Sequence, residues 1–480
     1  MDFKSILNNK VVIYLSSRYL TYFIQFVTSL IIAARLGPYY FGIWGFILLM
    51  LNYAQQCHFG IYNSLNVLYV QNRKDAQVCK DYIANAFVLI SYLSLLMVLF
   101  FGAYTIYGGE TFEKYHAERY IVWICVIAIL QYFQGLAVNI FRVKNLLGQI
   151  AFSQSIVAVL NFLAVFLFTG ETLILSLIAG NAIGYLAVFI LLFASGTISF
   201  NGVEISTKYQ KNILCKGIML FLYNTCFYFI ILSIRTIVSS NYSVEEFGIF
   251  TFSFSLAHAI MLLLESLSFI VFPKIIGKLA SSNLCEIKGT IRNYRIAYVT
   301  TAHGLLYLAM IAFPLIEVIF PKYQGALVSM NLIGLTILTN TCGCGYTEYL
   351  IAQNKEKQLS VISISALIIN CFVGLFLAVG IKVTYSYVIL GSLIAYLLFT
   401  FTVAMTAKKL MQDTENSIWR MFFPGRLFFP YLIALVVSIL QYEFLIVIPF
   451  IVFILLNVKD LQGIFVLAKQ LLKKPEIVNL

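Results

Sequence analysis

Arg18, Thr21, Tyr22, Gln25 and Ser29 stand at i, i+3, i+4, i+7 and i+11 of an apolar run, so on a helix they form one polar stripe. Further runs carry comparable sets: Asn52, Gln55, Gln56, Asn63 and Asn66; Asn224, Tyr228 and Arg235; Thr251, Ser255, His258 and Glu265. Arginine suits an anion such as phosphate, because its planar guanidinium donates two parallel hydrogen bonds, and amides and phenols suit hydroxyl-rich groups. The candidate binding residues are therefore Arg18, Tyr22, Gln25, Asn52, Gln55, Gln56, Tyr228, Arg235 and His258, with Glu265 and His58 as candidate gating or coupling groups. The plain alternatives are helix-to-helix hydrogen bonding for a stripe and snorkelling of the two arginines to the membrane surface. Nothing resembles enzyme chemistry: there are no paired carboxylates, no nucleophile beside a base and no metal-ligand cluster in register. Neither a cofactor nor a metal is expected.

These residues must be positioned by membrane-spanning helices. With 61% hydrophobic and 11% charged residues, the chain has too little polar surface to cover a soluble core. Apolar runs near the bilayer-crossing length predict about fourteen spans: 11–34, 41–70, 83–107, 120–141, 150–168, 172–195, 217–239, 247–272, 295–320, 326–352, 359–380, 385–407, 427–441 and 444–457. The last two are short. Arg18 then lies roughly 10 Å into the first span, at a helical rise of about 1.5 Å per residue. A bare charge there costs several kcal/mol, so it needs a partner or water.

Basic residues alternate with the spans as the positive-inside rule requires, about 25 of the 32 falling at the termini and in even-numbered loops. Acidic loops such as Glu110, Glu113 and Glu118 alternate with them, which predicts cytoplasmic termini. The net charge of +12 has the same cause and requires no nucleic-acid partner. None of the nine cysteines falls in an outside loop, and no disulfide framework is expected. Cys342-Gly-Cys344-Gly is read as close packing of small residues; Glu348 and Glu317 are read as interfacial.

The stretch YYFGIWGF at Tyr39 returns as EEFGIFTF at Glu245, 206 residues later. Aligned without a gap from Lys10 to Met50, the copies share roughly nine identities, Tyr22/Tyr228 and Phe41/Phe247 among them. Six spans separate them, so the two copies enter the membrane in the same direction, as parallel repeats do. The expected architecture is all-α: two pseudo-symmetric six-helix bundles, 1–200 and 201–410, then a linker and two helices in 411–480. Such halves can rock about a central cleft.

The turn RLGPYYFGIWGF, with HFGIYNSLNVLYVQNRK after it, resembles the polysaccharide transporter branch of the MOP exporter superfamily, specifically the Wzx-type O-antigen flippases. The resemblance covers the whole length and rests on the combination rather than on one sharp motif. It implies movement of an undecaprenyl-pyrophosphate-linked oligosaccharide from the inner to the outer leaflet of the bacterial inner membrane, by alternating access of a cationic cavity. It also implies coupling to H+ or Na+ in some members, contact with membrane lipids and work beside other polysaccharide assembly proteins. Those members usually carry an acidic residue where this chain has His58 before Phe59-Gly60, while Arg18 matches the cavity cation. Two rivals remain: a MATE-like multidrug exporter, whose pocket should hold carboxylates for cationic drugs, and an integral-membrane polymerase or glycosyltransferase, which needs a longer outside loop.

Overall fold

The structure, a computed structural model, describes the backbone of residues 10–473 apart from 108, 109, 199, 282 and 415. It describes the same side chains apart from 10–15, 106, 107, 110–112, 261, 263–274, 281, 443 and 466–473. Among the described residues the elements are helices and no strand occurs.

The first helix, α1 (Lys10–Gln56), is broken at Gly37, whose φ of 67° and ψ of 173° are not helical, with Pro38 following. A backbone that only glycine adopts readily ends the first half, and proline is well placed to start the second. The turn at 57–60, with Phe59 at φ 48° and Gly60 at φ 76°, separates α1 from α2 (Ile61–Gln71). There follow α3 (Ala76–Tyr107), α4 (Ala117–Val143), α5 (Leu147–Leu167), α6 (Gly170–Ala194), α7 (Thr207–Asn241), α8 (Val244–Ser281) and α9 (Leu284–Ile319). The remainder comprises α10 (Ala326–Thr341), α11 (Tyr346–Ala352), α12 (Glu356–Leu375), α13 (Leu390–Leu410), α14 (Ile418–Phe422), α15 (Gly425–Ile439) and α16 (Val447–Lys473).

Each expected span maps onto one of these helices or onto a broken pair, but α3, α7, α8, α9 and α16 run well beyond the spans expected on them. Among the described residues ten helices are long and apolar enough to cross a membrane, or eleven if α10 and α11, bent by 41°, count as one span. Ser16–Gln71 is a single 56-residue stretch in that count, although the break at Gly37 divides it, and Gly425–Ile439 is shorter. Large apolar side chains stand outward along these helices, with Leu167, Val318 and Phe372 more than 70% exposed. Water would penalise such surface, whereas lipid does not. The chain is a multi-pass membrane protein.

Two compact units divide the chain, residues 1–225 and 226–480, and the boundary falls inside α7. In the first unit, Ile61, Leu65, Leu136, Ile140, Phe141, Val188 and Leu192 form a core between α2, α4 and α6. The segment that follows α6 is tied onto α3 by polar side chains. Asp81 accepts from the Glu204 amide at 3.0 Å, Asn85 donates to the Glu204 carbonyl at 2.8 Å, and Gln77 donates to the Gly202 carbonyl at 2.6 Å. At the start of α7, a Cβ added to Gly217 would lie 2.7 Å from the Gly60 carbonyl oxygen and 2.1 Å from Ser64 Oγ. The first turns of α7 therefore pack backbone to backbone on the turn between α1 and α2. In the second unit α16 packs on α9 and α15, so the last two helices belong to that unit's packing.

Candidate functional site

In the first unit, Arg18 and Tyr22 are one turn apart on α1, and the guanidinium carbon stands 4.6 Å from the centre of the Tyr22 ring. This cation–π contact compensates part of the charge in a dry setting. Tyr22 is buried and Arg18 half-buried. Thr21 faces the other way: its hydroxyl is 2.6 Å from Ser155 Oγ on α5, so it joins helices. Asn66 behaves likewise, donating to Asn139 Oδ1 on α4 at 2.7 Å. By contrast, among the described residues no hydrogen bond or ion pair engages the side chains of Arg18, Gln25, Asn52, Gln55 or Gln56. Gln25 and Gln55 are exposed, and Asn52 and Gln56 half-buried. Each stripe thus divides into packing residues and residues with unused polar capacity. His58 sits in the turn after α1, its Nδ1 accepting from the Gly60 amide at 3.2 Å and its ring stacked on Tyr62 at 4.3 Å.

The second unit holds a matching cation on an aromatic. Arg235 of α7 is only 4% exposed, and its guanidinium lies 4.9 Å from the centre of the Phe254 ring on α8. Phe254 stacks in turn on His258, with centroids 5.7 Å apart and planes 9° from parallel. Arg235, Phe254 and His258 therefore form a ladder between α7 and α8. So deep an arginine does not snorkel; the aromatic face replaces water in part. Tyr228, two turns before Arg235 on α7, is half-buried. Phe254 was not a sequence candidate, and its one signal was its position a turn before His258. Glu265 belongs to α8, and its side chain lies outside the described residues.

A third arginine is missed by the sequence altogether. Arg295 begins a span and reads as a loop cation, yet it is 8% exposed. It donates to the carbonyls of Cys342, of Cys344 at 2.9 Å, of Met421 at 2.8 Å and of Phe422 at 3.3 Å, and stacks 4.3 Å from the Tyr346 ring centre. Cys342-Gly-Cys344-Gly is thus the turn that breaks α10 from α11, and its freed carbonyls take Arg295 as their cation. Glu348 is buried, and it caps α11 by accepting from the Gly345 amide at 2.5 Å. The same arginine fastens α14, and with it the linker, to the break. All nine cysteines are free thiols.

No protein-family model matches the chain, and no curated protein matches it in sequence. Solved structures do match in fold. The lipid II flippase MurJ in an inward closed conformation superposes with a TM-score of 0.68 at 13% identity, covering 95% of this chain and 98% of MurJ. An inward-facing multidrug resistance transporter of the MATE family in the MOP superfamily gives 0.65 at 12% identity, covering 85% of this chain and 100% of that one. A MOP superfamily transporter from Pyrococcus furiosus, described as having a binding pocket of reverse polarity, gives 0.55 at 11% identity over 85% of this chain and 96% of its own. The fold of this chain is therefore the one shared by MATE exporters and the MurJ lipid flippase.

Proposed function

We propose that the chain is a MOP-superfamily transporter of the polysaccharide branch, a flippase that moves undecaprenyl-pyrophosphate-linked oligosaccharide units across the bacterial inner membrane for O-antigen, capsule or exopolysaccharide synthesis. The observation that carries this reading is the pair of aromatic-backed arginines, Arg18 half-buried on Tyr22 and Arg235 buried on Phe254, in a fold that a lipid flippase also uses. A pocket for cationic drugs would place carboxylates there; arginine with Gln25, Asn52, Gln55, Gln56, Tyr228 and His258 suits pyrophosphate and sugar hydroxyls.

In this account two six-helix lobes, 1–200 and 201–410, with both termini cytoplasmic and 411–480 appended, carry the substrate by alternating access. Arg18 binds pyrophosphate in the inward-open state, Glu265 is the candidate gating residue, and His58 is a candidate for coupling to H+ or Na+. The protein works as a carrier rather than an enzyme. Reconstitution tests the reading: proteoliposomes should expose a labelled undecaprenyl-pyrophosphate oligosaccharide to the opposite leaflet. Efflux of a cationic dye without lipid movement would favour the MATE-like alternative instead.

A further inference from the structure

A polar cavity lies within the first unit, at the end where α2, α4 and α6 stop and α3 and α5 begin. It has a volume of about 450 Å³ and is lined by Tyr69, Arg73, Lys144, Ser195, Gly196 and Thr197 among others. Two left-handed turns shape it, Asn145 at φ 60° after α4 and Gly196 at φ 61° after α6. Ser195 Oγ and Thr197 Oγ1 bond to each other at 2.9 Å and back to the Leu192 carbonyl, which fixes the second turn.

The charges around it are unbalanced. Lys144 is half-buried and donates to the Thr197 carbonyl at 2.8 Å, which uses one of its three protons. Among the described residues no carboxylate is ion-paired with Arg73, Lys80 or Lys144. The nearby acids are committed: Asp75 accepts from the Gln77 and Val78 amides, and Asp81 from Gln77 and Glu204. Burial, then the Lys80 charge, hold the Lys144 ammonium below the ordinary lysine range against a smaller opposing pull from Cys79. An anion in the cavity would relieve both pressures. A phosphate fits the donors, since arginine offers a fork and lysine a point charge. The cavity also opens where the helices leave their apolar runs, the depth of phospholipid headgroups, and basic pockets at that depth bind anionic lipids.

We infer that this cavity is a site for a phosphate-bearing anion held by Lys144 and Arg73, separate from the arginines of α1 and α7. It does not depend on the transport reading. The anion is either a phospholipid headgroup or free phosphate, and native mass spectrometry of the full-length protein in detergent distinguishes them. Phosphatidylglycerol is titrated against phosphatidylcholine, with and without inorganic phosphate. Expected is a retained phosphatidylglycerol whose apparent affinity falls about tenfold in Arg73→Gln and in Lys144→Met, a loss of about 1.4 kcal/mol each, and stays unchanged in Lys357→Gln, which removes an equal charge from the other unit. Arg73 is exposed, and its side chain makes no hydrogen bond or ion pair among the described residues, so Arg73→Gln should leave the fold intact. Displacement of the lipid by millimolar phosphate, with the same dependence on Arg73 and Lys144, assigns free phosphate; resistance to phosphate assigns the headgroup. Equal affinity in wild type, Arg73→Gln and Lys144→Met, or equal weakening in Lys357→Gln, overturns the site.

Discussion

At the scale of residues, Arg18 and Arg235 share one solution to the same problem, a guanidinium kept inside an apolar helix bundle by the face of an aromatic ring. If Arg18 meets pyrophosphate, Arg18→Ala should abolish flipping while the protein still inserts, and Arg18→Lys should restore only part, because a point charge replaces a fork. Full transport by Arg18→Ala at normal expression would remove the residue from the site. Phe254→Leu should weaken transport less than Arg235→Ala does, since it removes the support and keeps the charge; equal loss in both would mean that the ring itself is the contact. The i, i+4 spacing made Arg18 and Tyr22 legible in the sequence. Phe254 and Arg295 were not, because an aromatic in an apolar run carries no polar signal, and an arginine at a span boundary reads the same whether it points out or in.

Among the elements, breaks matter more than lengths. The Gly37-Pro38 break was readable from residue types, and so was the division into runs. What holds the breaks together was not, because the partners are backbone carbonyls, which every sequence has. Arg295 satisfies carbonyls from the α10–α11 turn and from α14 at once. Arg295→Lys should therefore destabilise by about 2 kcal/mol, since a buried carbonyl left without its donor costs about 1–3 kcal/mol. It should also release the linker, so that protease cuts within 411–417 appear in the variant first; wild-type cleavage rates would refute the clamp. On the other unit, Gly217→Ala forces a methyl to 2.7 Å from the Gly60 carbonyl and 2.1 Å from Ser64 Oγ. Overpacking of this kind costs about 1–3 kcal/mol. The expected result is a lower Tm in detergent, with Ser64→Ala rescuing only the side-chain half of the clash; an unchanged Tm would show that the helices separate without cost.

On the scale of the whole molecule, composition and the alternation of basic loops predict the orientation, and the repeat predicts two lobes that rock. A thiol placed at Glu113, which is exposed, should react with an impermeant reagent from outside alone, and labelling only from the cytoplasm would invert the topology. Glu265→Gln should bias the cycle inward, because a contact made in one state shifts the equilibrium by no more than its differential energy, tenfold for about 1.4 kcal/mol. An unchanged distance distribution between spin labels on the basic-loop ends of α2 and α8, in active protein, would exclude that gate. Translocation in proteoliposomes tests the proposed carriage of a pyrophosphate-linked glycan most directly. Wild type should bring a labelled undecaprenyl-pyrophosphate oligosaccharide to the far leaflet and Arg18→Ala should not; no movement by wild type above protein-free vesicles would contradict the account.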